Sequence, residues 1–440
     1  MRDTAAELAF VRHFAAARAS REAREPAWLG RVRAEAFDAF QAQGLPTTKH
    51  EDWRFTSLAK LERLEFEAAD MRPSTSAPRL PTGVALGRTH RLVFVNGRFA
   101  PTLSDLGALP AGCRVAPLSA ALATDPESVK RAFASCADVK TRPFAALASA
   151  LASDGVFVEL APGAALERPV HALFLQTGSG APAAAHVRSL VSAGAGSRAL
   201  VVEEHAGDTL VPDLTNALSE IRVGRDAAID HVLIQELPEQ SSCFASVLTR
   251  QDAQSRLGLH SLALGGALTR VELESRLEGE GAELEMNGLY LGRGSQHPDH
   301  HTTIDHAAPR TTSRELFKGI LDERAHGVFH GRIHVRPHAQ KINADQTNRA
   351  LLLSDRATIN TKPQLEIYAD DVKCSHGATV GQLDDAQLFY LRARGLDLAA
   401  ARALLTYAFA SEVLERLPSE SLRASLERAL LGWLPQGGAS

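Results

Sequence analysis

The chain lacks most of the short signatures by which enzymes declare themselves. No Gly-x-x-x-x-Gly-Lys-[Ser/Thr] loop is present, so P-loop ATP hydrolysis is not its own chemistry and no ATP is expected on this chain. A Gly-x-Gly-x-x-Gly after a strand pattern, a Gly-x-Ser-x-Gly elbow and a Cys-x-x-Cys pair are also missing. These absences weaken any catalytic reading and favour a scaffold. No apolar run is long enough to span a bilayer, so no membrane contact is expected. The start, Met1-Arg2-Asp3-Thr4 with Glu7 close by, is acidic and has no apolar h-region, which argues against a secretory signal and for the cytoplasm. An excess of one charge sign is missing too: 48 Lys and Arg stand against 52 Asp and Glu, a formal charge of -4. That balance gives neither a basic field for nucleic acid nor an interaction tail.

Cysteine is sparse. Cys113, Cys136, Cys243 and Cys374 are widely scattered, which fits reduced thiols better than a disulfide framework. A private iron–sulfur site usually takes four thiolates. This chain could hold one alone only if all four cysteines converged or other residue types joined them.

What is present is globular. The 440 residues are 45% apolar and 23% charged, enough for a large core in two or three domains. Residues 5 to 43 read as helices, with one stripe of Leu8, Phe10, Val11 and Phe14 and another of Trp28, Val32, Ala36 and Phe40. Gly44-Leu45-Pro46 stops the second. Thr47 to Thr56 mixes charge with Trp53 and Phe55 and reads as an amphipathic docking segment; residues 71 to 83 read as a linker. Arg91 to Gly97 is a strand ending in a turn, and a helical stretch runs from Ser128 to Ala152. From Gly155 short apolar-polar alternations recur. Segments led by Ala199, Ala227, Ala253 and Ala282 overlay at spacings of 28, 26 and 29 residues. Short strands at a loose period with no helices between them suggest a β-helix or a β-sandwich, and argue against an α/β sheet with helical crossovers.

Eight of the 17 histidines fall between His297 and His338. His297, His300, His301 and His306 have the ligand types of a zinc or iron site and define one reading, a mononuclear metal-dependent enzyme. Their spacing matches no named motif, so solvated or hydrogen-bonded histidines on strands and turns are the preferred reading.

Tyr368 to Tyr390 reads as a strand that leads into a helix. Cys374 and His376 are two residues apart, so a strand would turn both side chains to one face, about 6.6 Å apart along the chain. Asp384-Asp385 can cap the helix of Leu388, Phe389 and Leu391. Asp397 can cap the next helix, Pro418 ends it, and Ser419 can cap a last helix through Trp433.

Several long runs carry a resemblance. They are Ser313 to Asp322, Gly327-Val-Phe-His-Gly-Arg-Ile, Ala339 to Ser354 and Lys362 to Gly381, with Gly44 to Thr56 near the start and Leu388 to Gly395 near the end. In this order they resemble the SufD family within the SufB/SufD superfamily, subunits of the SUF iron–sulfur cluster assembly system. The resemblance implies a mainly β fold: a right-handed parallel β-helix core flanked by N-terminal and C-terminal α-helical domains. Its expected boundaries are residues 1–85 for the first helical domain and linker, 86–378 for the core with a helical insertion near 115–152, and 379–440 for the last domain. It also implies a non-enzymatic scaffold that pairs with SufB and docks the SufC ATPase. A nascent iron–sulfur cluster would be held transiently at the SufB–SufD interface, and a homodimer is expected when the chain is isolated. The family's Cys-x-His pair falls on Cys374 and His376, as shared cluster ligands. SufC docking falls on the region of Asp384, Leu388, Phe389, Tyr390 and Arg394. A SufB-like paralogue is the nearest alternative, but Asn348 stands where SufB carries its cluster-building cysteine, and Lys373-Cys-Ser-His-Gly377 also departs from the SufB pattern.

Overall fold

The computed structural model describes residues 4–434 except 23, 72–83, 134 and 179. Most of the expected linker therefore lies outside the described residues. From Val156 onward the strands alternate strictly between two sheets. Val156–Leu160, Ala183–Ala193, Leu214–Val223, Ser242–Gln251, Leu268–Leu277, His297–His306, His326–Val335 and Thr358–Ile367 stack side by side in the first. The strands between them, from Val170–Gln176 through Ile342–Leu352 to Val372–Gly381, stack in the second. Every one of these pairings is parallel; near the start, Phe94 pairs with Phe99 in an antiparallel hairpin and Cys113–Pro117 runs antiparallel to Val156–Leu160. This is a two-sheet parallel β-helix. The choice left open between sandwich and solenoid falls to the solenoid because each strand pairs with the strand two ahead, one coil on.

One corner of each coil is made in the same way. Gly196, Asp226, Gln254, Gly281, Arg310 and Lys341 all have positive φ. Their amides donate in turn to the carbonyls of Arg225, Ala253, Glu280, Pro309, Gln340 and Asp371 in the next coil. Only two of the six are glycine, so four L-residues hold a left-handed conformation that costs roughly 1 kcal/mol each. The ladder also corrects the alanine overlay. The four segments do stack in the second sheet, but Ala227 and Ala282 share their level with Ser197 and Ser255; Ala199 and Ala253 lie two residues to either side.

The inner faces of both sheets close on one long apolar core, from Val158 and Val201 through Leu257, Met286 and Phe317 to Ile342. The outer faces are also apolar over much of their length, and helices cover them. Ala5–Arg21, Ala27–Gln43 and Pro143–Leu151 cover the early part of the first sheet, where Phe10, Phe40 and Leu147 meet Ala184, Leu214 and Phe244. In the first helix Phe10 is buried while Leu8 and Val11 are exposed, so the expected stripe is narrower than the pattern suggested. Leu398–Leu414 and Glu420–Trp433 cover the second sheet through Ala410, Val413, Leu422 and Leu426. Asp384, Asp397 and Ser419 each cap a helix as read from sequence.

Two buried cations fasten the helical layers. Arg188 is fully buried against Glu220, donates to Ser149 Oγ at 2.6 Å, and lies 3.7 Å over the Phe133 ring. Arg270 donates to Asp299 at 2.8 Å and to the Asp52 carbonyl at 2.9 Å, with its guanidinium 3.8 Å over Trp53. Thr56 Oγ1 donates to the other side of the same knot, Asp299 Oδ2, at 2.6 Å. The segment 47–56 is thus a docking segment, and what it docks to is the β-helix of its own chain.

Candidate functional site

Among the described residues, no further strand continues the β-helix at its far end. The last coil, Thr358–Ile367 with Val372–Gly381, is the terminal strand of each sheet, and its residues are almost all half-buried or exposed. Cys374 and His376 lie on Val372–Gly381 and share the inward face. Cys374 is in register with Ala344 and His376 with Gln346, both buried. Cys374 is half-buried and packs on the interior apolar cluster, whereas His376 is open to solvent. Burial pushes the Cys374 thiol up from its ordinary value. At neutral pH it is therefore a protonated thiol, and it becomes a thiolate donor when a metal displaces the proton.

Behind His376 the interior becomes polar. Gln346 stacks on Glu315 in the preceding coil and donates to Glu315 Oε2 at 2.7 Å. Burial pushes the Glu315 carboxyl up to about 7, the hydrogen bond from Gln346 opposing it only in part. His300 faces the same interior from the opposite sheet, against the rings of Tyr290 and Phe317. Asn348 is buried one step along, accepting from Tyr290 Oη at 3.1 Å and donating to Thr361 Oγ1 at 3.0 Å. Glu315, Gln346 and His376 lie 31 and 30 residues apart. These spacings exceed the 26 to 29 residues of the alanine overlay, so that overlay does not place them in one column.

The histidine set suggested for a metal enzyme does not converge. His300 and His306 turn inward, His306 onto Thr311 and Ser313 at 2.7 and 3.0 Å. His297 and His301 turn outward, to Thr56 at 2.9 Å and to Asp299 at 2.9 Å. A strand alternates its faces, so residues an odd number apart cannot surround one ion from the same side. The four cysteines do not converge either. Cys113 is on the first coil and Cys374 on the last, on the order of 40 Å away at one strand spacing per coil.

Past the last coil, the helix Asp385–Ala393 buries none of its residues. Asp384 Oδ1 accepts from the Gln387 amide at 2.9 Å as its cap. Leu388 is half-buried, while Phe389 is 76% and Tyr390 56% exposed; Arg394 lies 4.7 Å over the Tyr390 ring. Ile367, Tyr368 and Val380 on the last coil are exposed as well, so large apolar side chains crowd this end. His334 is on the outer face, 3.1 Å from Glu366, and His338 bonds the Ala307 carbonyl; neither bonds to Cys374 or His376.

A parallel β-helix with helical layers on both flanks and a thiol and an imidazole on its last coil defines a class of helix-flanked β-solenoid proteins. Residues 174–409 match the family model described as SUF system FeS cluster assembly, SufBD core domain. Residues 4–172 match that of the SufBD protein N-terminal region. The chain belongs to the SufBD family, which is involved in iron–sulfur cluster assembly. It is 34% identical over 401 residues to the iron-sulfur cluster assembly protein SufD of Escherichia coli, covering 90% of each chain. It is also 34% identical over 414 residues to an iron-sulfur cluster assembly SufBD family protein of Synechocystis, covering 92% of this chain and 91% of the relative. With SufD of Bacillus subtilis the identity is 28% over 427 residues. Among the described residues, no helix is long and apolar enough to cross a membrane.

Proposed function

We propose that this chain is a non-catalytic scaffold subunit of the SUF machinery, one that pairs with SufB through the open end of its β-helix. The observation that carries this reading is the placement of Cys374 and His376 on the last coil. Two open strand edges invite a second β-helix to continue both sheets. The donors then sit where the chains meet, and SufB supplies the ligands that one thiol and one imidazole lack. The nascent cluster is the cargo of this interface, held while it is built and then released. SufC docks on Asp385–Ala393 through Leu388, Phe389 and Tyr390 and supplies the ATP hydrolysis. When the chain is alone, the same open end accepts a second copy. The cytoplasm is the compartment this reading assumes.

The test is co-expression with SufB and SufC, anaerobic purification, and measurement of iron, sulfide and cluster absorbance. His376→Ala is expected to lower cluster loading at least tenfold, and Cys374→Ser to lower it less, with the complex intact by size-exclusion chromatography. Unchanged loading in both variants would remove the ligand assignment. Failure of the wild-type chain to co-purify with SufB would remove the pairing.

A further inference from the structure

One coil in from the open end, the outer face of the first sheet gathers a second set of ligand side chains. His301 and His330 are register partners on adjacent strands, with ring centroids 5.0 Å apart, edge to face. The docked N-terminal segment lays Asp52 beside them, and His330 Nδ1 is 3.8 Å from Asp52 Oδ1. One donor atom from each of the three lies within 4.8 Å of the other two.

The far nitrogen of each ring is already engaged. His301 Nε2 lies 2.9 Å from Asp299 Oδ1 and 3.1 Å from Arg270 Nη1. His330 Nε2 lies 3.4 Å from Gln364 Oε1, which holds the proton on that nitrogen. His330 therefore keeps its Nδ1 lone pair free on the side of Asp52. An imidazole whose other nitrogen is held by a carboxylate or amide oxygen is the usual form of a metal-ligating histidine. Arg270 Nη1, 3.1 Å from His301 Nε2, also donates to Asp299 Oδ2 and the Asp52 carbonyl. The remaining nearby cations have acidic partners: Lys362 has Glu51 at 2.6 Å, and Arg332 has Glu366 and Asp52, each at 3.7 Å.

We propose that Asp52, His301 and His330 form a binding site for one divalent transition-metal ion of the class that takes imidazole nitrogen with carboxylate oxygen, as zinc does. Bond lengths of about 2.0–2.2 Å place ligand atoms a little over 3 Å apart, so the exposed Asp52 side chain must close in by roughly 1 Å. The site opens on one side to a cleft of about 330 Å³ lined by Arg142, Glu272, Glu274 and Arg332, which leaves room for water as a further ligand. Its ligands come from the docked segment and from two coils, so an ion here fastens the N-terminal region to the β-helix. This is independent of the cluster ligands at the open end.

The test uses the full chain carrying Cys374→Ser and His376→Ala, stripped with chelator and titrated with zinc(II) and cobalt(II). One ion per chain is expected, with visible cobalt bands from nitrogen and oxygen ligation and slower proteolysis of the N-terminal segment when zinc is bound. Asp52→Asn, on an exposed side chain, is expected to weaken zinc at least tenfold with an unchanged circular dichroism spectrum. His330→Gln is expected to weaken it further, by about a hundredfold. No stoichiometric ion at tens of micromolar zinc overturns the proposal, and so does uptake that Asp52→Asn leaves unchanged.

Discussion

Replacing Asp299 by alanine is the sharpest test of how the N-terminal segment is held. Asp299 is fully buried, accepts from Arg270 at 2.8 Å and Thr56 at 2.6 Å, and lies 2.9 Å from His301 Nε2. Burial alone would raise its carboxyl, but the facing His301 and Arg270 outweigh it and hold the group well below the ordinary carboxylate range. Removing one partner of a buried pair costs about 3–5 kcal/mol, because the other charge is left uncompensated. Arg270 keeps Glu272 at 2.9 Å, which moves the expectation to the lower part of that range, about 3 kcal/mol. The freed Thr56 hydroxyl adds to the loss, though not additively. The assay is urea unfolding followed by tryptophan emission, since Trp53 lies directly under the Arg270 guanidinium and is buried by the docking. A lower midpoint is expected, with red-shifted emission before the main transition as the segment loosens. A stability change below about 1 kcal/mol with unaltered emission would refute the argument, because a surface ion pair loses no more than that. The sign with pH is definite. The folded-state value is depressed, so the contribution is fully present above the unfolded value of about 3.9 and is lost as pH falls toward the folded one. Asp299→Ala should thus flatten the acid limb of the stability profile.

Glu315 should act in the opposite sense. Its carboxyl is raised to about 7, so the folded state holds the proton and stability falls as pH rises from about 4.3 to 7; Glu315→Gln should remove part of that decline in thermal melts at pH 5 and pH 8. Gly319 and Gly288 face the rings of Tyr290 and Phe317 across adjacent strands, and a Cβ on either would run into the ring. Gly319→Ala is expected to cost about 1–3 kcal/mol by overpacking, read from urea midpoints; a neutral result would mean that Tyr290 repacks freely. Phe389→Asp should leave the melting temperature unchanged because the helix buries nothing in this chain, while abolishing retention on immobilised SufC. Retained binding would move the docking surface elsewhere.

Much of this protein is written in local patterns. The β-helix strands were visible as short alternations at a near-constant spacing, because each coil must bury the same face against its neighbours. The caps at Asp384, Asp397 and Ser419 were visible because orphan amides at helix starts select such residues. Cys374 and His376 were identified as a same-face pair by strand geometry alone, and Thr47 to Thr56 as a docking segment by its mixture of charge and aromatics.

Three things needed the fold. The register of the coils depends on corner ladders in which aspartate, glutamine, arginine and lysine take positive φ, and their side chains do not signal it. The column of Glu315, Gln346 and His376 exists only once that register is known, since an error of two residues moves each rung onto a different neighbour. The meeting of Asp52 with His301 and His330 is decided by the path the chain takes to return over its own first sheet. Spacing along the chain identified which histidines exist. Only the alternation of strand faces and the docking of a distant segment decide which of them share a point in space.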